Sequence, residues 1–410
     1  MNWVTLIYLI MFFFGIFFIV MFVILHNRYR RILFSSPKSP SKLPLISFFV
    51  PSYNEEDTLE ETVMSLVNLD YPENKKEIII INDGSKDRTL EIARILEKKY
   101  FFVRVLNKSN SGKASSLNQA LKIAKGELIA VVDADSYPRK DSVLKMVGHF
   151  DEKGVSAVTS RVLVKNKKNY LENFQVWDYS IIAWTRKLLD FVDSVYVTNG
   201  PLSIYKKSVL KKLGGFDTKN LTEDIEITWH MLSEGYKTRM SYDAIVYTSV
   251  PSNLKYWINQ RVRWNLGGIQ TVHKYYKSMF KNPENMFGYF VIPYVSSAFL
   301  FALIGFVLFG RFIWLKGSYY FISLFYLGEG YNPFKYLEFS FLPTVLMILA
   351  LIFMVITVYY YNLGFRNSET GSKNVLKIFS YALLYRSLYV IPLIIALYKL
   401  AKGDLGWYTK

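Results

Sequence analysis

The sequence predicts an α/β domain, with a mostly parallel sheet and flanking helices, inserted between transmembrane α-helices. Three observations predict it. Half of the 410 residues are hydrophobic (51%), yet the formal net charge is +17; long apolar segments joined to a basic polar body give that balance. Between residues 45 and 132, short apolar runs of strand length alternate with stretches of helical spacing. Polar clusters follow these runs, at the carboxyl ends of strands, where ligands of such sheets bind.

A chain of this length admits two or three domains. A basic body suits nucleic acid, an anionic membrane surface, or anionic small substrates such as nucleoside diphosphates. Cysteine is absent, which excludes a disulfide framework, a thiolate metal site and a catalytic thiol.

The first element is the run Trp3–Leu25, 23 residues without a charge and long enough to cross a hydrocarbon core of about 30 Å. It lacks the basic flank and small-residue cleavage site of a signal peptide. Residues 1–27 therefore read as a retained transmembrane helix. His26, Arg28, Arg30 and Arg31 at its end favour the cytoplasmic side, which places the N-terminus outside and the next domain inside. Residues 28–44 form a linker, rich in Pro and Ser from Ser35 to Pro44.

The domain expected over residues 45–250 begins with a strand at Leu45–Val50, closed by Pro51. Asp57 or Thr58 can cap a helix through Glu60–Leu69. A strand at Glu77–Ile81, a helix at Leu90–Lys99, a strand at Val103–Leu106, a helix at Leu117–Ala124 and a strand at Leu128–Val132 complete the alternation. Val155–Ser160 and Leu202–Tyr205 are further strands, and Gly214–Asp217 is a turn. The stretch Tyr170–Val192, with Trp177, Tyr179, Trp184 and Leu188 beside Arg186 and Lys187, suits a membrane interface and a soluble core equally.

Three clusters at strand ends carry chemistry. Asp133-Ala134-Asp135 sets two carboxylates around one residue, and Mg²⁺ or Mn²⁺ is commonly held by one or two carboxylates plus substrate phosphates. A solvated turn would use the same residues. Asp83, in Asn82–Ser85, suits a nucleoside-binding carboxylate, although Asp-Gly is also a common turn pair. Ser111-Gly112-Lys113 offers phosphate an ammonium and a flexible backbone, or makes a plain surface turn.

In this order, Pro51–Glu55, Asn82–Ser85, Ser111–Lys113 and Asp133–Asp135 resemble the inverting family 2 glycosyltransferases of GT-A fold. The resemblance implies that Tyr53, Glu55 and Asp83 hold the nucleoside of a UDP-sugar. It implies that Asp133 and Asp135 bind the diphosphate through a divalent cation, Mg²⁺ or Mn²⁺, with Lys113 nearby. Asp135 is the principal metal ligand, and Asp133 contacts both nucleotide and metal. By the same resemblance Asn199 and Gly200, in Thr198–Pro201, line the acceptor's site.

Leu221, Ile225, Trp229 and Leu232 have helical spacing, with Thr222 at the N-cap and Glu223 and Asp224 in the first turn. Acids there complement the helix dipole, and a cap alone accounts for the residue types. Inverting sugar transfer needs one carboxylate to take the proton of the attacking hydroxyl. No second carboxylate is needed as nucleophile, because the leaving diphosphate is neutralised by the cation. Asp224 is the candidate base; Glu223 touches the acceptor or only supports the helix.

Gln260, Arg263 and Trp264 fall on one helical face. A guanidinium can pair with a diphosphate and an indole can stack on a sugar; a basic interfacial helix would use the same residues. Following Thr222-Glu223-Asp224, this pattern resembles the processive membrane synthases of cellulose, chitin, hyaluronan and poly-N-acetylglucosamine. Gln260–Gly268 is most similar to the poly-β-1,6-N-acetylglucosamine synthases. Residues 251–285 are accordingly expected to form an interfacial helix region.

Residues 286–410 hold three more apolar runs, Met286–Gly310, Phe341–Tyr361 and Ile378–Leu400. Arg366, Lys373 and Lys377 mark a cytoplasmic loop. Residues 311–338 read as an interfacial loop. Arg386, inside the last run, either lines a polymer channel or forms a buried ion pair. The expectation is a multi-pass cell-membrane enzyme with a cytoplasmic catalytic domain. Its partners would be a UDP-sugar donor, best guessed as UDP-N-acetylglucosamine, a growing polysaccharide and the lipid bilayer. A small accessory membrane subunit fits the same expectation, and nucleic acid does not. A transferase that glycosylates a lipid once, a hyaluronan- or glucan-type synthase, and a membrane scaffold are the competing readings.

Overall fold

The computed structural model describes residues 3–38, 40, 42–280, 286–327, 345–366 and 375–404. The first half runs α1 (Trp3–Tyr29), β1 (Ile46–Ser52), α2 (Leu59–Val67), β2 (Lys76–Asp83), α3 (Thr89–Lys99), β3 (Val103–Lys108), α4 (Lys113–Ile123) and β4 (Leu128–Val131). β1 lies in parallel between β2 and β4, with Phe48 opposite Ile78 and Ala130, and β3 extends the sheet beyond β2. Ile78 and Ile80 face the layer of Leu59, Val63 and Leu66 from α2. Ile79 and Ile81 face Leu117, Ala120 and Leu121 from α4. A strand covered on both faces must be apolar at successive positions, which is why Ile78–Ile81 is an unbroken run. All four isoleucines are fully buried, each stabilising the fold by about 1.5–3 kcal/mol relative to exposure.

The second half continues with β5 (Ser136–Pro138), α5 (Ser142–Val147), β6 (Val155–Val164), α6 (Tyr170–Asp190), β7 (Ser203–Lys206), α7 (Lys207–Lys212), α8 (Glu223–Ser233), β8 (Lys237–Thr248) and α9 (Leu254–Tyr275). The eight-stranded sheet has the order β3-β2-β1-β4-β7-β6-β8-β5. β7 is antiparallel to β4 and β6, and β5 to β8; the remaining pairs are parallel. The sheet is thus the mostly parallel one the apolar runs predict. Neither β5 nor β8 is expected from the sequence. β8 interleaves Ser241 and Asp243 with Met240, Tyr242 and Ala244, and its register against β6 shifts at two places. Its pattern changes from alternation to the apolar run Ala244–Tyr247 at one of these shifts, so no single period marks the whole strand.

The stretch with two equal readings, α6, lies against β6 and β8 on one side and against α1 and α11 (Val345–Arg366) on the other. Asn169 caps it and Glu172 reaches back, a complete capping box. Trp184, fully buried, donates from Nε1 to His26 Nδ1 of α1 at 3.2 Å. Thr185 and Tyr360 of α11 share a hydrogen bond of 2.9 Å. A side chain at Gly364 would overlap Ile181 and Trp184, so α11 approaches α6 as closely as it does only because Gly364 has none.

Among the described residues, four helices are long and apolar enough to cross a membrane: Trp3–Tyr29, Phe287–Tyr319, Met347–Arg366 and Leu376–Lys402. The segment expected to be an interfacial loop from residue 311 instead continues α10 (Ile292–Leu327). One glycine, Gly317, costs a helix only about 1 kcal/mol, and no proline interrupts that stretch. The rest of that loop, residues 328–338, and Lys373 lie outside the described residues, as do residues 341–344 of the expected third span. Of the two roles open to Arg386, the ion pair is present: its Nη1 lies 3.4 Å from Asp178.

Candidate active site

The loops after β1 and β2 are tied to each other. Asn54, at a positive φ of 54°, receives Lys86 N–H on its side-chain oxygen at 2.9 Å. Its own N–H donates to Ser85 at 3.0 Å. The N–H of Glu55 donates to Thr89 at 2.8 Å, and its carboxylate accepts from Thr58 at 2.8 Å. Tyr53, at the start of this loop, is partly buried. Asp83, at the carboxyl end of β2, is 5% exposed. Its carboxylate accepts from Ser111 N–H and Gly112 N–H, both at 2.9 Å, and from Lys108. With three of about four acceptor positions used, the side chain fastens the loop before α4 and leaves one position for a ligand. Tyr53, Glu55 and Asp83 therefore do belong to one set of interlocked loops.

Lys113 opens α4 immediately after Gly112, whose φ is +87°. It is the first residue of a helix rather than part of a surface turn. Its ammonium joins Asp133 at 2.6 Å to Glu223 at 2.7 Å. Burial alone would lower its pKa, but Asp133, Glu223 and Asp224 outweigh burial and hold it well above the usual lysine range. The bridge spans the two halves of the domain, because Asp133 follows β4 and Glu223 begins α8.

Asp133 also donates its N–H to the Gly200 carbonyl at 3.2 Å. A Cβ on Gly200 would lie 2.5 Å from the Asp133 carboxylate, so this approach requires glycine. Next to it, the Asn199 side-chain oxygen accepts from Thr159 at 2.7 Å and from Arg186, while its Nδ2 is buried without a partner. Asp135, beyond Ala134, accepts from Ser136 at 3.3 Å and from Thr248 at 3.5 Å. The donor set can take a hard cation on one condition. Among the described residues no cluster of three or more His or carboxylate ligands forms, so Asp133 and Asp135 need phosphate oxygens to complete the shell, as Mg²⁺ and Mn²⁺ sites commonly have.

Thr222 occupies the N-cap of α8, but its side chain makes no capping bond; the hydroxyl donates to Asn220 at 3.2 Å instead. The first turn is fixed by Thr228, which donates to the Asp224 carbonyl at 2.6 Å and shares a 2.6 Å bond with Thr198. The Asp224 carboxylate accepts the Ile225 N–H at 2.9 Å. Burial, with the charge of Glu223 added, pushes its pKa up to about 6 against the pull of Lys113. A carboxylate in that range accepts a proton near neutral pH far better than an ordinary aspartate.

Gln260, Arg263 and Trp264 lie partly buried on α9 at the expected i, i+3, i+4 spacing. A Cβ on Gly267, one turn after Trp264, would overlap the Thr222 side chain. Farther along the two helices, buried Glu226 accepts from Lys274 and Tyr275, each at 2.6 Å. The site residues of α8 and α9 are thus brought together by contact at both ends.

Sequence reasoning missed Thr198, Thr228 and Arg186. Arg186 is a partly buried guanidinium whose pKa is lowered by burial, with Tyr196 and Asp224 pulling it back. Its position on the inner face of α6 was the available signal. The threonines gave none, because they meet each other across 30 residues of sequence.

Residues 47–214 match the family model of Glycosyl transferase family 2. The chain is 29% identical to the probable glycosyltransferase YdaM of Bacillus subtilis over 90% of its length and 86% of that protein. It is 34% identical to a poly-beta-1,6-N-acetyl-D-glucosamine synthase of Staphylococcus epidermidis, over 58% of each chain. The synthases are therefore matched over little more than half their length. A mannosyltransferase from Pyrobaculum calidifontis, solved in complex with GDP-Man and Mn²⁺, shares the fold at a TM-score of 0.56 and 19% identity, covering 94% of this chain and 95% of that one. With its α/β sheet, its acidic strand ends and its apolar flanks, this chain carries a glycosyl transferase family 2 domain of GT-A fold and is a glycosyltransferase.

Proposed function

We propose that the protein transfers a sugar from a UDP-sugar, with inversion, to the end of a growing polysaccharide and passes the product through its membrane helices. N-acetylglucosamine is the sugar favoured by similarity to the Staphylococcus synthase. One observation carries the reading: Lys113 bridges Asp133 to Glu223, beside Asp224 with its pKa of about 6. A diphosphate site and a proton acceptor therefore share one wall.

Asp224 takes the proton of the acceptor hydroxyl as that oxygen attacks the anomeric carbon and the nucleoside diphosphate leaves. Asp135 and Asp133 would hold a divalent cation, which neutralises the leaving diphosphate when bound. Lys113 stands beside the same oxygens. Tyr53, Glu55 and Asp83 border the nucleoside. Asn199, Gly200 and Glu223 shape the acceptor side, Arg263 faces the diphosphate, and Gln260 and Trp264 hold the sugar. Domain limits follow: residues 45–250 form the transferase, 251–285 the clamp region, and 1–27 and 286–410 the membrane parts. The basic residues flanking the spans support a cytoplasmic side for the transferase.

Membranes holding the protein, given one labelled UDP-sugar at a time with Mg²⁺ or Mn²⁺, should incorporate label from one donor into a product that is large on a gel. A single-sugar product extractable into organic solvent would sink the polymer reading and leave a lipid-directed transferase.

A further inference from the structure

Within Gln260–Trp264, Arg261 is the polar residue turned away from solvent, at 1% exposure, beside the likewise buried Val262. Its Nη1 donates to the Gln260 side-chain oxygen at 3.0 Å, and its guanidinium lies 4.0 Å from the centre of the Trp264 ring. Its Nη2 donates to Asp178 of α6 at 3.3 Å. Asp178 is fully buried and also accepts from Tyr381 at 2.8 Å, from Arg386 at 3.4 Å and from Tyr389. Those last three residues all belong to the span Leu376–Lys402.

We propose that Arg261 is the positioning residue of the clamp: it sets Gln260 and Trp264 together, and Asp178 with the last span sets Arg261. The inference rests on the reading that Gln260, Arg263 and Trp264 contact the substrate. A guanidinium offers a rigid fork and a flat face at once, and lysine offers neither. One edge of Arg261 binds Gln260 while its face covers Trp264, so the amide and the indole are oriented by a single rigid group. Because the Gln260 oxygen is committed to Arg261, the amide presents its N–H donors to the ligand, a polarity that suits sugar hydroxyl and phosphate oxygens. The anchor is equally constrained. A buried carboxylate shared by two guanidiniums and three phenols, those of Tyr381, Tyr389 and, at 3.5 Å, Tyr385 of the same span, is fully satisfied in few arrangements. A displacement of the last span would therefore reach Gln260 and Trp264 through Asp178 and Arg261.

The test is a double-mutant cycle on the full chain in membranes, reading kcat and KM for the UDP-sugar that supports transfer. Trp264→Ala should lower kcat/KM about 100-fold, and Arg261→Lys about 10- to 100-fold, as expected for a misplaced contact. Since Arg261 acts through its neighbours, Arg261→Lys should add little once Trp264 is alanine. Tyr389→Phe, which removes one hydroxyl from Asp178 and keeps the ring, should cost about 3-fold and also lose most of its effect in the Trp264→Ala background. No effect of Trp264→Ala would overturn the clamp reading itself. An impaired Trp264→Ala whose loss multiplies fully with that of Arg261→Lys would overturn the positioning role. Should Arg261→Lys fail to fold, the Tyr389→Phe and Trp264→Ala pair decides by the same criterion: no effect of Tyr389→Phe, or full multiplication, overturns it.

Discussion

Where β4 meets α8, the carboxylates of Asp133, Glu223 and Asp224 gather around one ammonium, that of Lys113. Where α6 meets the last span, the guanidiniums of Arg261 and Arg386 gather around one carboxylate, that of Asp178. The first cluster has acid to spare and the second has base to spare. An acidic excess is tolerated where a cation can complete it, and together with burial, the larger cause, it raises the proton affinity of Asp224. A basic excess beside aromatic rings is tolerated because Arg261 and Arg386 lie within cation–π range of Trp264 and Tyr389. The difference matches the two jobs proposed above, chemistry at the acidic cluster and positioning at the basic one.

The comparison breaks first at Asp224. Asp224→Asn should lower transfer by about 1000-fold or more, within the range general base catalysis supplies, while UDP binding in a filter or calorimetric assay stays close to that of the unaltered protein. Retained transfer would remove chemistry from the acidic cluster. Gly200→Ala comes next. A methyl 2.5 Å from the Asp133 carboxylate should displace it and lower kcat/KM by about 100-fold, accompanied by a raised requirement for Mg²⁺ or Mn²⁺ in metal titrations.

The pH profile sharpens the same point. With the Asp224 pKa near 6, kcat/KM should rise as pH passes through about 6 and level off above it, a step absent from Asp224→Asn. The sign for stability is opposite. The folded state holds this proton more tightly than the unfolded chain, so the carboxyl's contribution is present at low pH and is lost as pH rises through about 6. Asp224→Asn should therefore be more stable than the parent at pH 8, by up to about 3 kcal/mol, with the gap closing below about pH 4, as read from thermal unfolding in detergent. At the basic cluster the effect is smaller. Arg386→Gln leaves Arg261 with Asp178 and should reduce kcat about 3- to 10-fold, while KM for the donor changes little.

Legibility followed the same divide. The strands β1, β2 and β4 announce themselves as apolar runs because both faces of the sheet are covered, and the residues that close them are the local clusters Asn82–Ser85 and Asp133–Asp135. Asp133 was readable as a candidate because it closes such a strand, and Lys113 and Asp224 because each opens a helix beside the sheet. Their meeting was not readable, since Lys113 and Glu223 lie on different helices far apart in the chain. β8 was missed because its alternation from Met240 to Ala244 gives way to an apolar run at a register shift, so no single period spans the strand. Asp178 was missed because one acid inside an aromatic helix looks like a surface residue until Arg261, Tyr381 and Arg386 arrive from three places in the chain. The span α10 was ended at Gly310 because the following stretch is aromatic, contains Gly317 and has only a short apolar core, features that a long helix tolerates.

The close seating of Gly267 on Thr222 bears on how a repeating enzyme could step. Two helices with no clearance between them cannot slide, and the Glu226 bonds to Lys274 and Tyr275 close the other end of the seam. On the proposed function, the proton acceptor and the clamp would then travel as a single jaw. Any stroke advancing a product by one unit would fall to the opposing side, the loops stitched together by Asn54, Ser85 and Asp83, which meet that jaw through the Lys113 bridge. A ratchet of this kind would disengage at one ammonium, and the nucleotide that competes for Lys113 would be the pawl.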